Sequence, residues 1–302
     1  MLEEIEKTLM VVKADIGDRG RPLAVNLLLG PTGVGKTETV RLIAEGIYGD
    51  RHALCRIDMN TLSQAHYTAA ISGAPPGYVG SREETTLLEA AKIEGSFSKP
   101  GIVLFDEIEK ADESVILSLL NILDSGELTL SSGKTRINFC NCMIFMTSNI
   151  GYRDIKPQNR HGAVSWLALL ARWQKKETER ERLRRVMRRH FAPEFINRLD
   201  RVLIHQVISA EQLISLVDIE VEKLCQRLQR HGITFSLRPT AKVLLCRHYD
   251  ADYGAREISR QIRTQCEPLL SEAILTFPDC AHFIIDAEDD TFSVIAQPLH
   301  AG

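Results

Sequence analysis

Through the first two-thirds of the chain, apolar residues fall in short unbroken blocks, separated by stretches where they recur every three or four positions. The blocks at 23–29, 55–59, 101–105, 142–147 and 201–205 are strand-length, and those at 23–29, 101–105 and 142–147 are almost wholly apolar, the pattern of strands buried on both faces. Between them, helical patterns lie at about 37–48, 85–94, 112–124 and 178–190. Strands alternating with helices predict an α/β domain, a parallel sheet covered by helices on both faces. After about residue 207 the pattern changes. Leu213, Leu216, Val217, Val221, Leu224 and Leu228 recur at helical spacing, and Gly232 is the expected C-cap. A second helix is expected near Thr240 and a third from about Ala255, bent or broken at Pro268, with a closing strand pair at 282–285 and 291–295. The expected plan is a large α/β domain over 1–206 and a small, mainly helical domain with a short sheet over 207–302.

The 302-residue length accommodates both domains, and 44% hydrophobic with 25% charged residues is the composition of a soluble globular protein. A net charge of −3 provides no global field for nucleic acid or an acidic membrane. No apolar stretch approaches the roughly 20 residues of a membrane span, and the acidic residues after Met1 exclude a signal core. The expected compartment is the cytoplasm. Seven scattered cysteines read as small buried thiols in a reducing compartment. Cys140 and Cys142 admit a metal half-site, but no second Cys/His pair is spaced to complete it. The run from 172 to 190 mixes Lys175, Lys176, Arg180 and Arg182 with Glu177, Glu179 and Glu181 around one aromatic, Trp173. Mixed charge at that spacing suits a solvated face or a subunit interface better than a nucleic-acid helix.

Chemistry enters at Gly30, Pro31, Thr32, Gly33, Val34, Gly35, Lys36 and Thr37, which match G-x-x-x-x-G-K-[ST] directly between the block 23–29 and the helix 37–48. Gly33 and Gly35 let backbone N–H groups turn inward around phosphates, and the helix N-terminus adds partial positive charge. Lys36 can reach the β- and γ-phosphates of ATP, and the Thr37 hydroxyl can coordinate Mg²⁺. The block 101–105 leads into Asp106 and Glu107. In a parallel sheet that end lies beside the loop, so Asp106 can hold the Mg²⁺ through water and Glu107 can polarise an attacking water. Asn149, after Thr147 and Ser148, can orient the same water.

With these residues in view, the chain resembles the Clp-type AAA+ ATPases, specifically the second-ring modules of ring-forming unfoldases and disaggregases. The resemblance rests on segments 29–38, 73–80 (Gly-Ala-Pro-Pro-Gly-Tyr-Val-Gly), 105–111, 146–149, 192–200 and 253–256, in family order over nearly the whole chain. It implies that Arg198 is the arginine finger entering a neighbouring subunit's site, and that Arg256 is the second sensor, directed at its own subunit's nucleotide. A site completed in trans implies a head-to-tail homo-oligomer, a hexameric ring in this family. Tyr78 and Val79 match the pore loop that grips translocating polypeptide, and a second pore loop is expected near 128–136. The implied activity is ATP-driven protein unfolding or remodelling. A motor subunit of a compartmental protease, bound to a peptidase, and a nucleotide-gated assembly or adaptor module are the alternatives.

The chain also departs from the family. The resemblance starts almost at Met1, without the apolar-Gly segment that helps bind adenine, so an excised module or a single-ring protein is expected. Ile150-Gly151-Tyr152 abuts the sensor motif and reads as a continuation of that strand end rather than a peptidase-docking loop. Residues 152–176, with Trp166 and Trp173, match the family poorly and are expected to hold a specialised contact.

Overall fold

The computed structural model describes residues 1–63, 87–96, 98–130, 135–150, 179–250 and 253–298. Tyr78, Val79, the turn at 131–134 and the divergent stretch 152–176 lie outside them. The chain divides into two compact units, one of Met1–Gly30 with Gly35–His205 and the other of Pro31–Val34 with Gln206–Gly302.

The first unit is built on a five-stranded sheet. Its strands are β1 (Ala24–Leu29), β2 (Cys55–Asp58), β3 (Gly101–Asp106), β6 (Cys142–Ser148) and β7 (Arg201–Ile204), in the order β2-β3-β6-β1-β7. Every neighbouring pair is parallel. All residues of β1, β3 and β6 are buried, which explains why their sequences are continuous apolar blocks. Side chains leave the two faces alternately. Val25, Leu27, Leu29, Val103, Phe105 and Ile144 share one core with Val115, Leu119 and Ile122 of α4 (Glu113–Ser125). Leu28, Leu104 and Phe145 share the other with Ile5 of α1 (Leu2–Lys13) and Val40, Ile43 and Ala44 of α2 (Lys36–Tyr48). The two-faced α/β layering is therefore as the sequence implies. One residue breaks the second core: Asn26 of β1 is fully buried, and neither its amide oxygen nor its nitrogen has a partner among the described residues.

Between these elements lie α3 (Ala90–Glu94) and the antiparallel pair β4 (Glu127–Thr129) and β5 (Arg136–Asn138). The helix expected over 85–94 starts only at Ala90. Residues just before it are held extended against β2, where the Cys55 thiol donates to the Leu87 carbonyl and accepts from the Glu89 N–H. The basic helix α5 (Glu179–His190) and the short α6 (Pro193–Asn197) precede β7. Val186 and Met187 are buried, while Arg185, Arg188, Arg189 and His190 are exposed. In the described part of α5 the basic residues thus form a solvated face.

The second unit opens with α7 (Ala210–Gln229), started by a capping box in which Ser209 accepts from the Gln212 N–H. Its cap is Arg230, not Gly232; the glycine instead takes φ 73° in the turn beyond. There follow β8 (Thr234–Leu237), α8 (Pro239–Arg247), α9 (Ala255–Gln261), α10 (Glu267–Thr276), β9 (Cys280–Glu288) and β10 (Thr291–Pro298). The expected closing pair is antiparallel β9–β10, and the pattern missed β8, which pairs parallel to β9. Val217, Phe235, Leu245, Ile258, Phe283 and Ile285 form the core. The regular α-helix is interrupted just before Pro268, which stands in the first turn of α10. A π-helical turn at Ile262–Cys266 joins α9 to α10, and a widened turn relieves the clash between a proline ring and the preceding turn.

Among the described residues no helix is long and apolar enough to cross a membrane. All seven cysteines are free thiols.

Candidate nucleotide site

The loop following β1 reverses the chain into α2. Gly33 (φ 74°) and Gly35 (φ 92°) both occupy the left-handed region, open to glycine at no steric cost. Gly30 has a different reason for lacking a side chain, since a Cβ there would meet the His205 carbonyl oxygen at 2.6 Å. The first-turn N–H groups of α2 have no acceptor within the helix, and they add to the positive end of its dipole. Lys36, first in that helix, is 7% exposed. Its ammonium donates to the Gly30 carbonyl at 2.8 Å and to Asn149 Oδ1 at 2.7 Å.

Asp106, at the end of β3, gathers several donors. Its Oδ1 accepts from Thr147 Oγ1 at 2.5 Å and Thr37 Oγ1 at 3.0 Å. Its Oδ2 accepts from Arg56 Nη2 at 2.6 Å and Nε at 3.1 Å. Burial alone would raise the pKa of this carboxyl. The hydrogen bonds from Thr147, Arg56 and Thr37, with the charge of Arg56, outweigh it and hold Asp106 below the usual carboxylate range. Asp106 is therefore ionised at neutral pH.

Glu107 leaves the strand in the left-handed conformation, φ 59°, which costs a non-glycine residue about 1 kcal/mol or more. Its N–H donates to Thr147 Oγ1 at 3.0 Å, fixing the turn. Asn60 Nδ2 donates to Glu107 Oε2 at 2.6 Å, and Asn149 Nδ2 reaches Oε1 at 3.4 Å. The side-chain amide of Asn149 thus spans Lys36 and Glu107, and the backbone N–H of the same residue donates to Glu109 Oε1 at 3.0 Å. Thr37 Oγ1 and the Asp106 carboxylate converge as hard oxygen donors, the chemistry that suits Mg²⁺. The buried ammonium of Lys36 beside the helix start suits phosphate.

The structure brings together Lys36, Thr37, Asp106, Glu107 and Asn149. Arg198 caps α6 and is ion-paired to Asp124 near the end of α4, both side chains being about half exposed. Arg256 belongs to α9 of the second unit. The sequence reading did not include Arg56, Asn60 and Thr147. Thr147 was legible as part of a polar strand end. Arg56 and Asn60 belong to β2 and the 3₁₀ turn after it, and become significant only through the register that sets Asp58 beside Asp106.

Comparison with known proteins places these residues within a described family. The family model described as the AAA domain (Cdc48 subfamily) covers residues 21–202, and the C-terminal, D2-small domain of ClpB protein covers 208–278. An ATP-dependent protease ATP-binding subunit-like protein, AmiB, from Pseudomonas aeruginosa is 44% identical over 91% of this chain and 75% of its own length. A similarly named protein from Rhodococcus erythropolis is 40% identical, over 91% of this chain and 78% of its own. The ATP-dependent Clp protease ATP-binding subunit ClpC of Staphylococcus aureus is 37% identical over 91% of this chain, which spans 32% of that longer protein. The AAA model spans more than half of the chain and contains residues 30–37, Asp106 and Glu107, and the small-domain model follows it directly: the chain belongs to the Clp-type AAA+ family and is a nucleotide-binding ATPase.

Proposed function

We propose that this ATPase assembles into a closed homo-oligomeric ring, a hexamer, and uses hydrolysis to thread polypeptide through a central pore. The convergence of Lys36, Thr37, Asp106, Glu107 and Asn149 in one hydrogen-bonded group supports the reading, because a buried ammonium suits phosphate, hard oxygens suit a metal and a carboxylate beside them suits water activation. Lys36 donates to the β- and γ-phosphates, and Thr37 and Asp106 hold Mg²⁺. Held there, Mg²⁺ would supply positive charge against the phosphates. Glu107 accepts the proton of the attacking water while Asn149 orients that water. Arg198 exchanges its pair with Asp124 for the neighbouring subunit's nucleotide, and Arg256 reports nucleotide state from the small domain. The functional division is residues 1–206 as the ATPase domain and 207–302 as its lid.

Grip on substrate is assigned to Tyr78 and Val79, an aromatic and an aliphatic side chain between glycines, able to hold any extended chain by van der Waals contact. Tyr78→Ala is expected to retain basal ATP hydrolysis and to lose unfolding of a tagged fluorescent substrate. Normal unfolding by that variant would refute the pore-loop assignment. A second reading, the motor subunit of a protease, is favoured by the names of the relatives. Stable ATP-dependent capture of a peptidase ring by the purified chain would establish it.

A further inference from the structure

The ion pair between Arg56 and Asp106 has no place in the hydrolytic scheme above, yet it occupies a carboxylate that scheme needs. We propose that Arg56 is a positioning residue that competes with the divalent cation for Asp106, so that metal entry requires its guanidinium to leave Oδ2. The inference rests on reading Asp106 and Thr37 as the metal-holding residues.

An ionised carboxylate offers about four acceptor sites. Those of Asp106 are taken by Thr147, Thr37 and both Nε and Nη2 of Arg56. A cation drawing on Asp106, directly or through water, must displace one donor. Thr147 is not free to go: it is 1% exposed, and its hydroxyl also accepts the Glu107 N–H. Thr37 is itself a proposed metal ligand. Arg56 remains. Its side chain is 42% exposed while that of Asp106 is 8% exposed, so the guanidinium can swing into solvent on its flexible stem. Charge acts in the same direction, because a guanidinium and a divalent cation at one carboxylate repel each other. Without metal, Arg56 spares the protein a buried, unpaired carboxylate. With metal, it is the donor that leaves.

The test is equilibrium binding of a fluorescent methylanthraniloyl-ADP to the full chain, with Mg²⁺ and with excess EDTA. The readout is the ratio of the two dissociation constants, which reports how strongly metal and nucleotide support each other. Arg56→Gln is expected to raise that ratio by about two- to fivefold, the range for losing a partly exposed ion pair. Arg56→Lys keeps the charge and is expected to stay within about twofold of wild type. An unchanged or lower ratio in Arg56→Gln overturns the proposal, as does a rise in Arg56→Lys equal to that of the glutamine variant. Asp106→Asn separates the underlying reading: its ratio should collapse towards one, and a wild-type ratio would mean that Asp106 holds no metal. Circular dichroism melting of each variant establishes that it is folded.

Discussion

Asn26→Leu should make the protein more stable. The amide of Asn26 lies in the middle of β1 with no accessible surface, beside Leu28, Phe145 and the residues of α1 and α2. Its oxygen and nitrogen have no hydrogen-bond partner among the described residues. Each unpaired buried group costs about 1–3 kcal/mol, and a fully buried leucine contributes about 2 kcal/mol. Against this, leucine is larger, and overpacking costs about 1–3 kcal/mol. That cost should fall at the low end, because Asn26 borders a cavity of ≈ 320 Å³ lined also by Thr8, Val11 and Leu23. The balance is a gain of about 2 kcal/mol, or roughly 4–8 °C in the melting temperature of a domain of this size. Thermal and urea unfolding should both show it. ATP turnover should be unaffected, since the residue lies roughly 13 Å along the strand from Gly30. A loss of 1 kcal/mol or more would refute the reasoning and mean that an internal water satisfies the amide.

Three further outcomes can be measured. Gly101→Ala places a Cβ 1.8 Å from the Ile93 carbonyl oxygen, and backbone cannot yield cheaply there. Urea unfolding should show a loss of about 3 kcal/mol or more, and unchanged stability would contradict the packing of α3 on β3. Phe195→Ala removes a fully buried ring whose centroid is 4.9 Å from that of Phe191. It should cost about 3–5 kcal/mol, and it should also loosen α6, seen as faster amide exchange around Arg198. In the small domain, Asp286 accepts from Thr240 Oγ1, the Ala287 N–H and Arg238, which hold its carboxyl below the ordinary 3.8. A depressed folded value gives stability that is present above the unfolded value and lost as pH falls through the folded one. The melting-temperature gap between wild type and Asp286→Asn should therefore be constant above about pH 5 and close as pH falls below 3.8. A gap that persists at pH 2 would contradict the charge argument.

The sheet was legible because β1, β3 and β6 are buried on both sides, which writes an almost wholly apolar block into each, interrupted in β1 by Asn26. Asp106, Glu107 and Asn149 were legible for a related reason: they stand at or just past the ends of β3 and β6, where polarity changes abruptly, while Lys36 and Thr37 were legible through the glycine-rich spacing of residues 30–37. Arg56 was not. A charged residue in a short strand reads as solvent-facing until the register of β2 on β3 is known. The late start of α3 was hidden because its cause, the Cys55 thiol, lies more than thirty residues upstream. β8 was missed because Thr-Phe-Ser-Leu carries only two apolar residues, each preceded by a hydroxyl residue, and lies directly between two helical patterns.

The π-helical turn at Ile262–Cys266 has a consequence for phase. Ile258, Ile262, Cys266 and Leu270 are all within 3% of complete burial and are spaced by four. On an α-helix of 3.6 residues per turn, steps of four advance by about 40° each, so the last of these side chains would lie about 120° round from the first. A wider turn has more residues per revolution and winds that drift back. All four can then point at Phe283 and Ile285 of the same small sheet. Seen in this way, the irregular turn works as a phase correction, letting one long helical passage present a single straight seam where a regular helix would spiral its apolar column away from the core.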